Sequence, residues 1–158
     1  MVSLCSTAVC VWALSLMQVL QPEAPWKATY ENTANAIVSI AVEHPLNLAD
    51  KPIERTIALL VSLSWFESRF DPNAHNSKDP GGGSYGLYQA SRKPLASVEE
   101  DTENALQLIR QSFKLCTGLP PDKLLSWYTT GGPKCFPTKE STHRMALANR
   151  LLKEHPAP

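Results

Sequence analysis

Apolar side chains recur at helical spacing along most of the chain, so the pattern predicts a mainly α-helical fold. Stripes with three- and four-residue steps, such as Ile53, Ile57 and Leu60, are typical of helices that cover a core. Prolines and glycines separate the stripes and mark the connections between them. The predicted helices cover residues 26–43, 52–68, 98–116, 122–128 and 139–153.

Polar residues mark where three of these helices begin. Ser97 and Glu100 have the spacing of a capping box, and Thr138 can cap the last helix. Asp50 is expected to cap the helix 52–68. Pro52 suits the first turn of that helix, because a helix start leaves its N–H groups unpaired and proline has none.

One long connection, residues 71–94, is rich in Gly, Pro, Asn and Ser. We expect an irregular loop there, with a short β-hairpin around the sequence GGGSYGLYQAS. Long loops in compact domains usually carry function, because binding groups need access that a packed helix does not give.

The N-terminal residues 2–20 carry no charged side chain. Three interpretations remain open for this segment: a signal peptide that lacks the usual basic start, a membrane anchor of marginal length, or an apolar helix packed on a partner or on the domain. We therefore divide the chain into an apolar segment with a linker, residues 1–25, and one domain, residues 26–158.

The composition is that of a globular protein with balanced charge. The 158 residues are 43% hydrophobic and 19% charged, which excludes a disordered chain and suits one domain with a core. Lys and Arg together number 15, as do Asp and Glu, so no basic surface predicts nucleic-acid binding. A neutral polymer such as a polysaccharide remains a possible partner.

The four cysteines lack the spacing of a zinc site. Cys5 and Cys10 lie in the apolar N-terminal segment. Cys116 and Cys135 flank a turn-rich stretch, and two interpretations of this pair are open. They form a disulfide if the protein is exported, and otherwise they are two unrelated thiols.

Glu67 stands at the end of an apolar helix, where it continues the stripe that includes Leu60 and Ser64. This spacing points its carboxyl group toward the core. The alternative is that the helix end frays and Glu67 turns out to solvent, where it pairs with Arg69 or Arg55. Burial and the negative end of the helix dipole both disfavour a charged carboxylate. A carboxyl group that keeps its proton near neutral pH is suited to act as a general acid.

Three motifs follow at definite spacing: Glu67-Ser68, then Gly86-Leu87-Tyr88-Gln89 nineteen positions later, then Trp127-Tyr128-Thr129-Thr130-Gly131 after an intervening helix. They resemble the signature of the lysozyme-like lytic transglycosylases and goose-type lysozymes. That family has Glu-Ser, Gly-Leu-Met-Gln and Ala-Tyr-Asn-Ala-Gly in this order. The resemblance covers roughly residues 50–153 and implies a lysozyme-like fold with an active-site cleft beside the loop.

The resemblance also implies roles for individual residues. Glu67 would be the catalytic acid, and Ser68 would help to position it or the bound sugar. Tyr85 and the segment Gly86–Gln89 would bind the substrate, with Tyr128 facing Glu67 across the cleft. The amide of Gln89 suits hydrogen bonds to sugar hydroxyl and acetamido groups. No cofactor and no metal are implied.

The chain departs from the family pattern around Glu67. Thr129 replaces the family's Asn, and Arg144 or Met145 stands where the last helix often carries a Tyr. The support of the carboxyl group is therefore expected to differ. Asp79 lies close to the place of an assisting Asp in goose-type enzymes. It is a possible second carboxylate, and its alternative is a turn residue before Pro80.

The implied activity is cleavage of peptidoglycan at the β-1,4 bond between N-acetylmuramic acid and N-acetylglucosamine. A lytic transglycosylase would leave a 1,6-anhydro-muramyl end. The alternatives are a hydrolytic muramidase, for which a second carboxylate would activate water, and a non-catalytic glycan-binding or structural component of a virion or secretion machine. The implied location is the cell envelope or a virion, with membrane or machine contacts through residues 2–20.

Overall fold

The computed structural model describes residues 5–23 and 28–158. Within these residues the fold is mainly α-helical with one two-stranded antiparallel sheet, which confirms the predicted fold class. The elements are α1 (Ala8–Leu20), α2 (Ala28–Glu43), α3 (Pro52–Ser68), β1 (His75–Asn76), β2 (Ser84–Tyr85), α4 (Val98–Leu115), a 3-10 helix (Pro121–Lys123), α5 (Ser126–Thr130) and α6 (Lys139–Glu154).

Helix α3 forms the centre of the domain. Every residue from Thr56 to Ser64 is buried, as expected for a helix that is covered on all sides. It packs against α1, α2 and α6, and α2 also packs against α4. The first and last turns of α3 are less buried, and the last turn carries Glu67.

Helix α1 packs into this core. Ala13, Leu16 and Met17 are fully buried, and the Trp12 indole N–H donates a hydrogen bond to the backbone oxygen of His155 (2.8 Å). This is the arrangement of a packing helix, one of the three interpretations of the apolar segment. No helix among the described residues is long and apolar enough to cross a membrane. Residues 1–4 and 24–27, which include the predicted start of α2, lie outside the described residues.

Two of the predicted helix caps are present. The Ser97 hydroxyl accepts a hydrogen bond from the backbone N–H of Glu100 (3.1 Å), and the Thr138 hydroxyl accepts one from Ser141 (3.1 Å). Both residues satisfy an N–H group that the first helical turn leaves unpaired.

The predicted Asp50 cap is wrong. Lys51 occupies the N-cap of α3 with a left-handed backbone (φ 47°) and makes no side-chain cap. The Asp50 carboxylate instead lies 3.8 Å from the Arg55 guanidinium. The left-handed residue turns the chain so that Asp50 no longer lies over the exposed N–H groups.

The expected hairpin is present but begins earlier than predicted. His75 pairs with Tyr85 and Asn76 with Ser84, and the two paired rings stack with centroids 4.0 Å apart. Only β2 lies inside the sequence GGGSYGLYQAS. The glycines form the turn between the strands rather than a strand themselves.

Two disulfides close segments of the chain. Cys116 is bonded to Cys135, with Cα atoms 5.3 Å apart, and Cys5 is bonded to Cys10, with Cα atoms 5.2 Å apart. Of the two interpretations of Cys116 and Cys135, the structure therefore has the disulfide. This bond joins the end of α4 to the segment that leads into α6.

Candidate functional site

A cleft of about 820 Å³ opens where α3 ends. One wall is the hairpin and the segment after it, which contribute Asp79 and Gln89. The other wall is α5 with its C-terminal Gly131, which contributes Trp127. Glu67 lines the same cleft, so the cleft brings together residues from three distant parts of the chain.

Glu67 is half-buried and forms an ion pair with Arg144 of α6. The Nε (2.9 Å) and Nη2 (2.6 Å) atoms of Arg144 both donate to Oε1 of Glu67. The two side chains are 12% exposed for Arg144 and 20% for Glu67. Within the described residues no hydrogen bond to Oε2 of Glu67 is present. A permanently charged guanidinium therefore faces Glu67, so the carboxyl group is supported by a basic side chain of the last helix.

Directly after Glu67 the backbone takes an unusual course. Arg69 (φ 56°) and Phe70 (φ 65°) are both left-handed, a region that residues other than glycine rarely adopt. Phe70 is buried, and its ring packs edge-on against Tyr30 (5.6 Å between centroids). The core therefore holds a strained exit from α3, and such strain often accompanies functional sites.

Ser68 connects α3 to the loop rather than lining the cleft. Its hydroxyl donates to the backbone oxygen of Leu87 (2.7 Å) and lies 3.2 Å from that of Ser64. Its role in positioning Glu67 or the bound sugar stays a prediction, since neither hydrogen bond involves Glu67. Direct contact with a sugar in the cleft is not supported, because Ser68 is absent from the cleft lining.

The predicted substrate-binding segment divides between two sides of the loop. Tyr88 and Gln89 line the main cleft, although the Tyr88 side chain is itself buried in the core (1% exposed), and Leu87 is fully buried. Tyr85 and Gly86 line a second pocket of about 560 Å³. Tyr85 lies in β2, where successive side chains point to opposite faces of the strand. Gly86–Gln89 forms a turn in which the backbone N–H of Gln89 donates to the backbone oxygen of Gly86 (3.3 Å). The prediction of one binding surface is therefore wrong for Tyr85, Gly86 and Leu87.

The Gln89 side chain braces the loop. Its Nε2 donates to the backbone oxygens of Ala74 (3.1 Å) and Gly86 (2.8 Å), and its Oε1 lies 2.9 Å from the Ser84 hydroxyl. The amide is thus occupied on both sides. The amide groups that were expected to bind sugar hydroxyl or acetamido groups are therefore used within the loop. Gln89 stabilises the cleft wall instead of binding the substrate.

Tyr128 of α5 lines the cleft opposite the loop. Its hydroxyl donates to the backbone oxygen of Tyr88 (3.1 Å). Burial, and next the negative charge of Glu67, raise the pKa of Tyr128 well above its usual value. The phenol therefore stays protonated and remains a hydrogen-bond donor.

Serine side chains of α4 and α6 hold α5 in place. Ser112 accepts a hydrogen bond from the backbone N–H of Tyr128 (3.0 Å), and Ser141 accepts one from Leu125 (3.0 Å). With its N–H bonded to Ser141, Leu125 does not continue a helical ladder. The prediction of one helix over 122–128 is therefore wrong, and the 3-10 helix and α5 flank this break.

Asp79 lines the same cleft as Glu67. Asn76 donates to its Oδ1 (3.0 Å), and the Ser84 hydroxyl contacts its Oδ2. These contacts fix the carboxylate within the hairpin and leave it at the cleft wall. Both interpretations of Asp79, a turn residue and a second carboxylate, are compatible with this position.

Two residues of the site have no role predicted from the sequence. Trp127 belongs to the third motif and lines the cleft. Asp101 is buried and bonded to the loop. It lies in a first helical turn with two glutamates, where acidic residues are common because they complement the helix dipole. Nothing in the sequence distinguished it from those neighbours.

Among residues 5–23 and 28–158, no group of three or more His, Cys, Asp and Glu side chains is arranged to hold a metal ion. Comparison of the chain with protein-family models, with curated proteins and with solved structures found no match.

Proposed function

We propose that the protein cleaves peptidoglycan as a lytic transglycosylase of the lysozyme-like type, with Glu67 as the catalytic acid. The observation that carries the proposal is the shared cleft. Glu67, Gln89 and Tyr128 come from the three motifs of the sequence, and all three line it. Three motifs far apart in sequence have little reason to meet at one cleft in a helical domain of unrelated function.

The cleft has the groups that a sugar polymer requires. Trp127 offers a ring face on which a sugar can stack, and the oxygens of Asp79 and Thr130 offer hydrogen-bond acceptors. These polar groups lie on opposite walls. A glycan strand that runs between the hairpin and α5 would therefore contact both of them.

The proposed chemistry uses the oxygen of Glu67 that Arg144 leaves free. With Oε1 held by the guanidinium, a proton on Oε2 can pass to the glycosidic oxygen as the bond from the muramyl C1 breaks. The resulting carboxylate then takes the proton of the sugar's own C6 hydroxyl, and that oxygen bonds to C1. The proton is thus returned to Glu67, and the product carries a 1,6-anhydro ring.

A hydrolytic muramidase is the second candidate, because Asp79 lines the cleft together with Glu67. In that reaction a carboxylate activates water, which attacks C1 and leaves a reducing end. Mass spectrometry of fragments from purified sacculi separates the two reactions, since an anhydro end is lighter than a reducing end by one water.

A non-catalytic role as a glycan-binding or structural component is the third candidate. The ion pair between Glu67 and Arg144 favours it, because a paired carboxylate can serve structure alone. Digestion of sacculi by the wild type, Glu67→Gln and Glu103→Gln decides the matter. Glu103 is exposed on α4 and is the matched control. We expect Glu67→Gln to be inactive and Glu103→Gln to be fully active.

The catalytic proposal fails if wild-type protein releases no fragments, or if Glu67→Gln releases them at the wild-type rate. Binding to sacculi measured by sedimentation then distinguishes a glycan-binding protein from one without affinity for the polymer.

We also propose that the protein acts at the cell envelope or in a virion. Two disulfides support this location, since such bonds persist in oxidising compartments. Exposed Val11 and Val19 of α1 are the residues through which the N-terminal segment would contact a membrane or an assembly.

A further inference from the structure

Asp101, in the first turn of α4, contacts the loop that forms the Leu87–Gln89 wall of the cleft, and it does so from the side of the second pocket. It is 5% exposed, and its Oδ2 accepts a hydrogen bond from the backbone N–H of Leu87 (2.6 Å). Its Oδ1 has no hydrogen-bond partner among the described residues. A Cβ atom on Gly86 would overlap the Asp101 carboxylate. The glycine is therefore what lets the loop come this close.

The backbone that Asp101 holds carries two contacts to the rest of the cleft. The oxygen of Leu87 accepts the hydrogen bond from Ser68 in the last turn of α3 (2.7 Å). The oxygen of Tyr88 accepts the one from Tyr128 of α5 (3.1 Å). A shift of this backbone would therefore change the hydrogen bonds to both the end of α3 and the α5 wall.

We propose that Asp101 is a positioning residue, which fixes the Leu87–Gln89 wall of the cleft from the far side of the loop without touching the substrate. A buried carboxylate bonded to one backbone amide is costly, and an apolar residue would be more stable there. A charge-assisted hydrogen bond is, however, stronger and more directional than a neutral one. Asp101 thus gives the loop a fixed place at the expense of stability.

The ionisation of Asp101 has a direct consequence for the loop. Burial raises the pKa of Asp101 to about 6, with a partial offset from the backbone amides of Leu87 and Tyr88 and a further rise from the charge of Glu100. A proton on Asp101 turns the charge-assisted bond into a neutral one. The hold on the loop is therefore strongest above about pH 6 and weakens below it.

The charged and titratable groups around Asp101 do not reverse this pH dependence of its hydrogen bond to the loop. Glu99 on its own helix and His75 of β1 line the same pocket, and the residue that α2 contributes there, Asn32, is uncharged. Tyr88 and Tyr128 have raised pKa values and stay neutral. A positive charge at His75 would favour the Asp101 carboxylate and a negative charge at Glu99 would oppose it, so neither removes the ionisation of Asp101.

The proposal is tested by amide chemical shifts in ¹⁵N-labelled protein titrated from pH 4 to pH 8. In the wild type we expect the Leu87 and Tyr88 resonances to move with a midpoint near pH 6. Asp101→Asn keeps an acceptor oxygen but cannot ionise, so this transition should vanish. Glu103→Gln, an exposed change on the same helix, should retain it.

Activity on sacculi gives the second readout, and only this one rests on the proposed function. We expect the rate of Asp101→Asn to lose the wild-type change between pH 5 and pH 7. The rate of Asp101→Ala should fall about tenfold or more at pH 7, because small displacements of catalytic groups are costly. If Asp101→Ala does not fold, Asp101→Asn carries the test.

The two readouts fail separately. A Leu87 transition that persists in Asp101→Asn, or that is absent from the wild type, overturns the positioning role. An inactive wild type overturns the proposed function, while the amide titration still decides whether Asp101 controls the loop.

Discussion

Arg144 donates two hydrogen bonds to a single oxygen of Glu67, which lies 77 positions earlier in the chain. The backbone of Arg144 is fixed as well, because its carbonyl oxygen accepts a hydrogen bond from Ser62 of α3 (2.7 Å). Arg144 is therefore held against α3 at two points, its backbone at Ser62 and its guanidinium at Glu67. It stands in the part of the last helix where a lysozyme-like enzyme often has a Tyr.

Replacing Arg144 by Met should destabilise the protein by about 2 kcal/mol. The change leaves a half-buried carboxylate without its partner, and the partial exposure of both side chains keeps the loss below that of a fully buried pair. Urea unfolding measures the loss. Arg150→Met, an exposed change on the same helix, is the control and should cost less than about 0.5 kcal/mol.

The double variant Glu67→Gln with Arg144→Met isolates the pair itself. We expect its loss of stability to be smaller than the sum of the two single losses, by about 1 kcal/mol or more. Strictly additive losses would mean that the two side chains do not stabilise each other.

Replacing Gly86 by Ala should destabilise the protein by about 3 kcal/mol, because it adds a steric overlap to backbone strain. Gly86 has a φ of 86°, and its added Cβ would meet Asp101. Gly118→Ala is a matched control with a similar φ of 97° and open space around the Cβ. Thermal unfolding of both variants should show the larger loss for Gly86→Ala. Equal losses would mean that the loop does not lie against Asp101.

Asp101 should make the stability of the protein depend on pH. An unfolded Asp has a pKa near 3.9, and burial raises the pKa of Asp101 in the folded protein to about 6. Between these pH values the folded state binds the proton more tightly than the unfolded state. The stabilisation that comes from protonated Asp101 is therefore full below about pH 4 and is lost as the pH rises through about 6.

Denaturation at several pH values measures this effect as the difference between the wild type and Asp101→Asn. Relative to the variant, the wild type should lose about 2 kcal/mol between pH 4 and pH 7, a figure reduced for partial solvation of the carboxylate. A constant difference across this range would contradict the assignment.

Replacing Leu16 by Ala should destabilise the protein by about 3 kcal/mol, since Leu16 is fully buried in α1 and its loss opens a cavity. Val19→Ala in the same helix is the control, because Val19 is 47% exposed. Urea unfolding compares the two. If both changes are neutral, α1 does not belong to the folded core, and the signal-peptide and anchor interpretations regain weight.

The helices could be predicted from the sequence because their pattern is local. The stripe with Ile57 and Leu60 needs only the repeat of one helix, and the caps Ser97 and Thr138 need only the next turn. The cleft residues Glu67 and Tyr128 could be named from motifs, although their common cleft depends on packing that no single segment encodes.

The remaining features depend on which surfaces meet. Arg144 reaches Glu67 only because α6 packs on α3 in one particular register, and Tyr85 faces away from the cleft because of the hairpin pairing. Asp101 differs from the other acidic residues of its helical turn only because the loop folds over it and buries it. In each case the determining partner is far away in sequence, so spacing along the chain carries no information about it.

The bond between Cys116 and Cys135 closes the segment that contains the 3-10 helix and α5. Helix α5 spans only Ser126–Thr130, too short to be stable alone, so this closed segment depends on its anchors rather than on its own helicity. The α5 wall of the cleft is thus tethered by one covalent bond and by the hydrogen bonds of Ser112 and Ser141. These anchors lie outside α3, so the wall and the helix that carries Glu67 are held in place by different parts of the chain.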